Sequence, residues 1–152
     1  MTWLYRHEKI KALVNIAHGE GFGLPMFEAA REGLPIVTIG WSGHLDFLSH
    51  EGESYFQEVD FSISPVQPEA VWDGVIEKDS MWAFANEESY KKTIRNTIEN
   101  WQDCKDTSLK LQSIIEEKFN EETLYENFCA SIFKPTDEEL DWMKDLSEIE
   151  II

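Results

Sequence analysis

Short apolar runs and glycine-containing turns alternate along the first forty residues. The apolar run at 13–17 predicts a short, buried strand, and the β-branched run at 35–40 predicts a second strand. Residues 24–31 between them predict a helix, with Pro25 near its first position and Gly33 just beyond its end. The order strand, helix, strand is typical of a parallel sheet covered by helices.

After this part the pattern becomes mainly helical. Residues 41–46 predict a turn, and the alternating segment 55–64 predicts one or two short strands before a loop at Pro65 and Pro68. Helical patterns are predicted over residues 3–12, 69–78, 86–101, 106–119 and 121–133. Residues 137–152 predict either a last amphipathic helix or a solvated end. We therefore expect an α/β fold with a helical C-terminal half.

Composition and charge exclude several classes of protein. The chain has 152 residues, the size of one ordinary domain, and 13 basic against 30 acidic residues give a net charge of −17. A strongly acidic protein lacks the basic face that tracks nucleic-acid phosphates or docks on an anionic membrane. No apolar run approaches the roughly 20 residues of a membrane-spanning helix. We expect a cytoplasmic protein with no membrane span and no nucleic-acid partner.

The cysteines and histidines give no signal for a metal site. Cys104 and Cys129 are too few for a disulfide framework, and we interpret them as reduced thiols. The four histidines show no ligand spacing, and no D-x-D motif occurs in the chain. We therefore expect neither a metal nor a resident cofactor.

A glycine-rich turn precedes the helix at 24–31. Gly19, Gly21 and Gly23 allow tight turning and close approach of a ligand to the backbone. A helix N-terminus offers N–H groups and a partial positive charge, which together bind phosphate. Glu20 and Glu28 have seven residues between them, and ionised carboxylates accept hydrogen bonds from sugar hydroxyls. The spacing favours a nucleotide-sugar site; the alternative is that both acids merely complement the helix dipole.

The stretch from His18 to Val37, with its two glutamates, resembles the donor-site signature of retaining GT-B glycosyltransferases of the large group-one family. This resemblance implies a partial Rossmann-like fold, the parallel sheet and flanking helices of the donor-binding C-terminal domain of such an enzyme. Residues 1–134 would be the partial nucleotide-sugar-binding domain, and residues 135–152 an acidic tail or helix. The two basic residues that neutralise the donor diphosphate in the family have no identifiable counterpart here.

The resemblance also implies a role for each residue of the motif. Glu28 would hold the ribose, and Glu20 would face the hydroxyls of the donor sugar, positioning and stabilising it. Sugar and phosphates would be cradled by backbone amides and by the next turn along the chain: Gly21, Phe22, Gly23, Leu24, Ser42 and Gly43. His18, the second catalytic candidate, would contact donor or acceptor; the alternative is a strand-end histidine bonded to a backbone carbonyl. We interpret Trp72, Trp82 and Trp101 as packing anchors of the helical half.

The expected activity is transfer of a sugar, with retention, from a nucleoside-diphosphate sugar to a hydroxyl of a sugar, lipid or other acceptor. The expected protein partner is a missing N-terminal domain or a second copy of the chain. The alternative hypothesis is an inactive half-domain that acts as a binding or assembly module.

Overall fold

A three-stranded parallel sheet organises the first part of the chain. The structure, a computed structural model, describes residues 2–132, and it is a mixed α/β fold with a small parallel sheet. Its strands are β1 (Leu13–Asn15), β2 (Ile36–Ile39), β3 (Ser49–His50), β4 (Glu53–Ser54), β5 (Gln57–Val59), β6 (Phe61–Pro65) and β7 (Met81–Ala85). Its helices are α1 (Thr2–Tyr5), α2 (Leu24–Arg31), α3 (Leu45–Leu48), α4 (Glu87–Glu99), α5 (Trp101–Lys118) and α6 (Glu121–Ile132). The chain divides into two compact units, one ending at Glu117 and the other beginning at Lys118.

The parallel sheet has the strand order β1-β2-β5. Leu13 pairs with Ile36, and Val37 pairs with Gln57. All four residues of β2 are buried, as expected for the central strand of a parallel sheet. Strand β1 lies at the edge, and its Val14 is 40% exposed. This edge is less buried than the sequence predicted.

Most of the predicted elements are confirmed. Helix α2 covers residues 24–31 as predicted, and β1 and β2 lie within their predicted segments. Helices α4, α5 and α6 correspond to the three predicted C-terminal helices, although α5 begins five residues earlier than expected, at Trp101. The segment at 55–64 contains two strands, β5 and β6.

Two predicted helices are wrong. Over residues 3–12 only α1 is helical, and at Lys9 the backbone N–H donates to the His7 ring (3.2 Å) instead of continuing a helix. Over residues 69–78 a short 3-10 turn gives way to a loop closed by reciprocal backbone hydrogen bonds between Trp72 and Ile76 (2.9 and 2.7 Å). In both segments local turn bonds replace the helical ladder.

Strand β7 was not predicted as a strand. It pairs antiparallel with β6, and this β6–β7 hairpin places Ala83 opposite Ile63. Ala83 is fully buried in a core cluster with Val37, Ile39 and Val59, so the hairpin packs on the sheet. Because side chains alternate along a strand, Trp82 and Phe84 face away from that core.

The acidic segment 135–152 lies outside the described residues. Within residues 2–132, no helix is both long enough and apolar enough to cross a membrane.

Candidate functional site

Two turns meet at the carboxyl ends of β1 and β2. We call them the turn pair: residues 16–23, which follow β1, and residues 40–44, which follow β2. The Glu20 N–H donates to Ser42 Oγ (2.9 Å), and that hydroxyl donates to the Glu20 carbonyl (2.6 Å). The Gly43 N–H donates to the same carbonyl (3.0 Å). The carboxyl edge of a parallel sheet, where these turns lie, is the usual location of ligand sites in α/β folds.

The turn pair is closely packed as well as hydrogen-bonded. A Cβ atom built on Gly43 would lie 2.0 Å from the Gly21 carbonyl oxygen, which is closer than any real contact. Ser42 has a φ of 86°, in the left-handed region that non-glycine residues seldom occupy. The 40–44 turn therefore depends on a glycine at 43 and holds Ser42 in a strained conformation.

Glu20 has a fixed carboxylate. Asn15, the last residue of β1, donates from Nδ2 to Glu20 Oε1 (2.8 Å), and its own Oδ1 accepts the Ala17 N–H (2.8 Å). The Asn15 side chain is therefore held at both ends and orients the half-buried carboxylate. Our sequence analysis did not identify Asn15; its only signal is an amide side chain at the end of an apolar strand, directly before a glycine-rich turn.

Glu28, in contrast to Glu20, lies on α2 and has different neighbours. It is exposed on α2, and its Oε2 accepts a long hydrogen bond from the Tyr5 hydroxyl (3.4 Å). Burial of the Tyr5 ring and the adjacent Glu28 carboxylate raise the pKa of the Tyr5 phenol. The two predicted glutamates thus bind different partners: Glu20 accepts a hydrogen bond from Asn15, and Glu28 accepts one from Tyr5.

The predicted cradle lies at the start of α2. Gly23 is the N-cap with a φ of 85°, and its carbonyl accepts the Phe27 N–H (3.0 Å). A Cβ in that conformation would be strained, so a glycine is favoured there. The first amides of any helix point out of its N-terminus and have no partner within the helix, which is the geometry a phosphate needs. Gly21 and Leu24 are exposed beside this end.

Phe22 anchors the turn through its side chain. Its ring lies 5.2 Å from the Phe27 ring and 5.0 Å from the Phe47 ring, measured between centroids. Aromatic pairs at this separation stabilise each other. Phe22 can therefore contribute its amide to a ligand while its ring fixes the turn to α2 and α3.

His18 makes hydrogen bonds and ring contacts with β7. Its Nδ1 lies 2.7 Å from the Ala83 carbonyl oxygen, and the Ala83 N–H donates to the His18 carbonyl (3.3 Å). The imidazole stacks on Trp82 at 4.7 Å and 13°, and it lies 4.6 Å from the Phe84 ring. The alternative for His18, a hydrogen bond to a backbone carbonyl, accounts for its Nδ1 atom. The contacts of its ring with Trp82 and Phe84 on β7 were not predicted from the sequence.

The structure corrects the interpretation of two tryptophans. Trp82 lies on strand β7 and stacks on His18, so it is not a packing anchor of the helical half. Trp72 is 66% exposed, because the predicted helix around it is a loop. Trp101 is half-buried, and its Nε1 donates to the Lys11 carbonyl (2.9 Å), which joins α5 to the segment before β1.

Other polar side chains near the two turns and β1 make structural contacts. His44 is buried, and its Nε2 bonds to the Ile39 carbonyl (2.9 Å) at the end of β2. Arg6 pairs with Glu32, and the Lys11 ammonium lies 4.5 Å from the centre of the Trp101 ring. Among residues 2–132, no cluster of His, Cys, Asp or Glu is arranged to hold a metal ion.

Comparison of the chain with models of protein families, with curated proteins and with solved structures gave no significant match. The resemblance to the glycosyltransferase signature therefore rests on the residues of the motif and remains a prediction.

Proposed function

We propose that the turn pair binds a nucleoside-diphosphate sugar, and that the chain is the donor-binding part of a retaining glycosyltransferase. On this proposal the parallel sheet is part of a Rossmann-like GT-B domain. The observation that carries the proposal is the hydrogen-bonded junction of the Glu20 turn with the Ser42–Gly43 turn. This junction lies at the carboxyl edge of the sheet and beside the N-terminus of α2.

The proposed chemistry assigns one task to each part of the site. The amides at the N-terminus of α2 stabilise the negative charge that develops on the diphosphate as it leaves. The Glu20 carboxylate, oriented by Asn15, accepts hydrogen bonds from hydroxyls of the donor sugar. Glu28 holds the ribose hydroxyls. The oxygen of an acceptor hydroxyl forms the new bond to the anomeric carbon of the sugar as the bond from that carbon to the diphosphate breaks, and the leaving diphosphate takes up the hydroxyl proton.

Titration calorimetry of the full chain against UDP-glucose, GDP-mannose and ADP-glucose tests this proposal. We expect saturable binding of at least one donor, weakened about tenfold or more by Glu28→Ala, since a hydrogen bond to a charged group is worth about 1.5–3 kcal/mol. Glu99→Ala, an exposed acid at the end of α4, is the matched control and should bind as the wild type does. Absence of binding by the whole panel at millimolar concentration would reject the proposal.

A second candidate function is an assembly module that pairs through the edge of the sheet. It is favoured by the exposure of Val14 (40%) in β1 and of Ile16 (39%) directly after that strand. Beside β1 lies an apolar cavity of about 450 Å³, whose lining includes Val14, Ile98 and Trp101. Sedimentation velocity distinguishes the two: a dimer that Val14→Lys dissociates supports assembly, and a monomer at high micromolar concentration rejects it.

A further inference from the structure

The β6–β7 hairpin contributes to the candidate site through one side chain of the turn pair. His18 precedes Glu20 by two residues, and its ring lies against Trp82 and Phe84. These two rings can flank it because the residue between them, Ala83, is fully buried in the sheet core. Packing of Ala83 therefore places both rings beside the imidazole, which lies nearly parallel to Trp82 (13°) and tilted against Phe84 (56°).

The contact with Ala83 also determines where the proton of the imidazole lies. A carbonyl oxygen can only accept, so the 2.7 Å contact requires a proton on His18 Nδ1. In a neutral imidazole the other nitrogen, Nε2, then carries the lone pair and accepts hydrogen bonds. Free histidine has no such constraint, so the position of the lone pair follows from the contact with β7.

We propose that Trp82 and Phe84 are positioning residues that hold His18 with Nε2 as the acceptor for a hydroxyl of the donor sugar. This inference rests on the proposed donor site and extends it. Glu20 and His18 then act together on the sugar, with two carboxylate oxygens and one imidazole nitrogen, all of them hydrogen-bond acceptors. Acceptor groups fixed by a second set of contacts suit recognition of hydroxyls, which donate.

The positioning can be tested without a ligand. Long-range proton–nitrogen NMR of the histidine-labelled full chain, at mildly alkaline pH, reports which ring nitrogen carries the proton; His18→Gln assigns the signal. We expect the Nδ1–H form in the wild type and in Trp82→Phe, which keeps an aromatic ring. In Trp82→Leu we expect averaging toward the mixture of free histidine. Trp72→Leu, at an exposed tryptophan, is the matched control and should leave the spectrum unchanged.

The role toward the sugar is tested by comparing UDP-glucose with UDP. We expect His18→Gln and Trp82→Leu to weaken binding of the nucleotide sugar about fivefold, the value of one hydrogen bond, and to leave binding of UDP unchanged. If UDP binds and both variants keep the wild-type preference for UDP-glucose, this inference fails while the donor site stands. If neither nucleotide binds, and GDP-mannose and ADP-glucose also fail, the donor site fails and this role falls with it. A wild-type His18 protonated at Nε2 overturns the positioning independently of any ligand.

Discussion

His18 belongs to the turn pair, and its ring lies against the β6–β7 hairpin, but different forces hold these two regions in place. The turn pair is fixed by hydrogen bonds to the Glu20 backbone and by backbone contact at Gly43, which leaves no room for an added atom. The hairpin is fixed by its cross-strand ladder and by burial of Ala83 in the sheet core. The first region should therefore be sensitive to an added methyl group, and the second to methyl groups removed from the core beneath it.

The largest effect is expected for Gly43→Ala. The added Cβ would lie 2.0 Å from the Gly21 carbonyl, so the two turns must separate. We expect a loss of about 2–3 kcal/mol in the free energy of unfolding, as for other overpacked sites. Urea denaturation measures it.

The matched control is Gly21→Ala on the opposite turn, where an added Cβ meets nothing within 4 Å. It should change the free energy of unfolding by no more than about 0.5 kcal/mol. Equal effects of the two substitutions would show that the turns are not in close contact.

The hairpin side of the comparison is tested by Val59→Ala. Val59 is fully buried and packs in the cluster that holds Ala83. Removal of two methyl groups, with the cavity left behind, should lower the free energy of unfolding by about 2 kcal/mol. It should also loosen the contacts of His18 with β7. The His18 signal in the NMR spectrum should then average between the Nδ1–H and Nε2–H forms.

Val75→Ala is the matched control, since Val75 lies in the loop between β6 and β7 and is 63% exposed; it should change neither the free energy of unfolding nor the His18 signal. If Val59→Ala destabilises the protein but leaves the His18 signal unchanged, the contacts of His18 with β7 do not depend on packing of the hairpin against the sheet.

The two regions also differ in how much of them the sequence predicts. Each turn of the turn pair is encoded locally, by glycines, Pro25 and a β-branched strand, so the helix at 24–31 and the strands around it could be predicted. The hydrogen bonds that join Glu20 to Ser42 span 22 residues and have no local signal. The family resemblance likewise depends on contiguous residues. Strand β7 has the sequence Met-Trp-Ala-Phe-Ala, which also suits a helix, and only its pairing with β6 makes it a strand.

The site residues that were not predicted are those whose contacts depend on the tertiary structure. His18 and Ala83 are 65 residues apart, and no local pattern relates them. Asn15 is close to Glu20 in the sequence, but its role depends on how the turn folds back on the end of β1. The predicted residues were therefore those of the motif itself, and the residues that orient them came from the tertiary structure.

A smaller effect is expected for Ser42, which combines strain with two hydrogen bonds. Ser42→Ala removes both bonds to Glu20 and keeps the left-handed backbone, and we expect a loss of about 1–2 kcal/mol. Ser42→Gly removes the same bonds but relieves the strain at φ 86°, so it should be less destabilising by about 1 kcal/mol. Thermal and urea denaturation of both variants measure the difference. A glycine variant less stable than the alanine variant would show that Ser42 is unstrained.

The smallest effect is expected at Asn86, where the hairpin joins α4 and where the sequence does carry a local signal. Its side chain accepts the Ser89 N–H (2.9 Å) as the helix N-cap, and its backbone N–H donates to the Asp60 carbonyl (2.7 Å). Asn86→Ala removes only the cap and should cost about 1 kcal/mol, whereas Asn86→Asp should retain the cap.

Because the backbone bond to Asp60 persists, His18 should keep its Nδ1–H form in both variants. If Asn86→Ala instead averages the His18 signal, the end of β7 is positioned by the cap of α4 and not by the burial of Ala83. The position of the hairpin would then depend on a local sequence signal, as the two turns do, and not only on tertiary packing of Ala83.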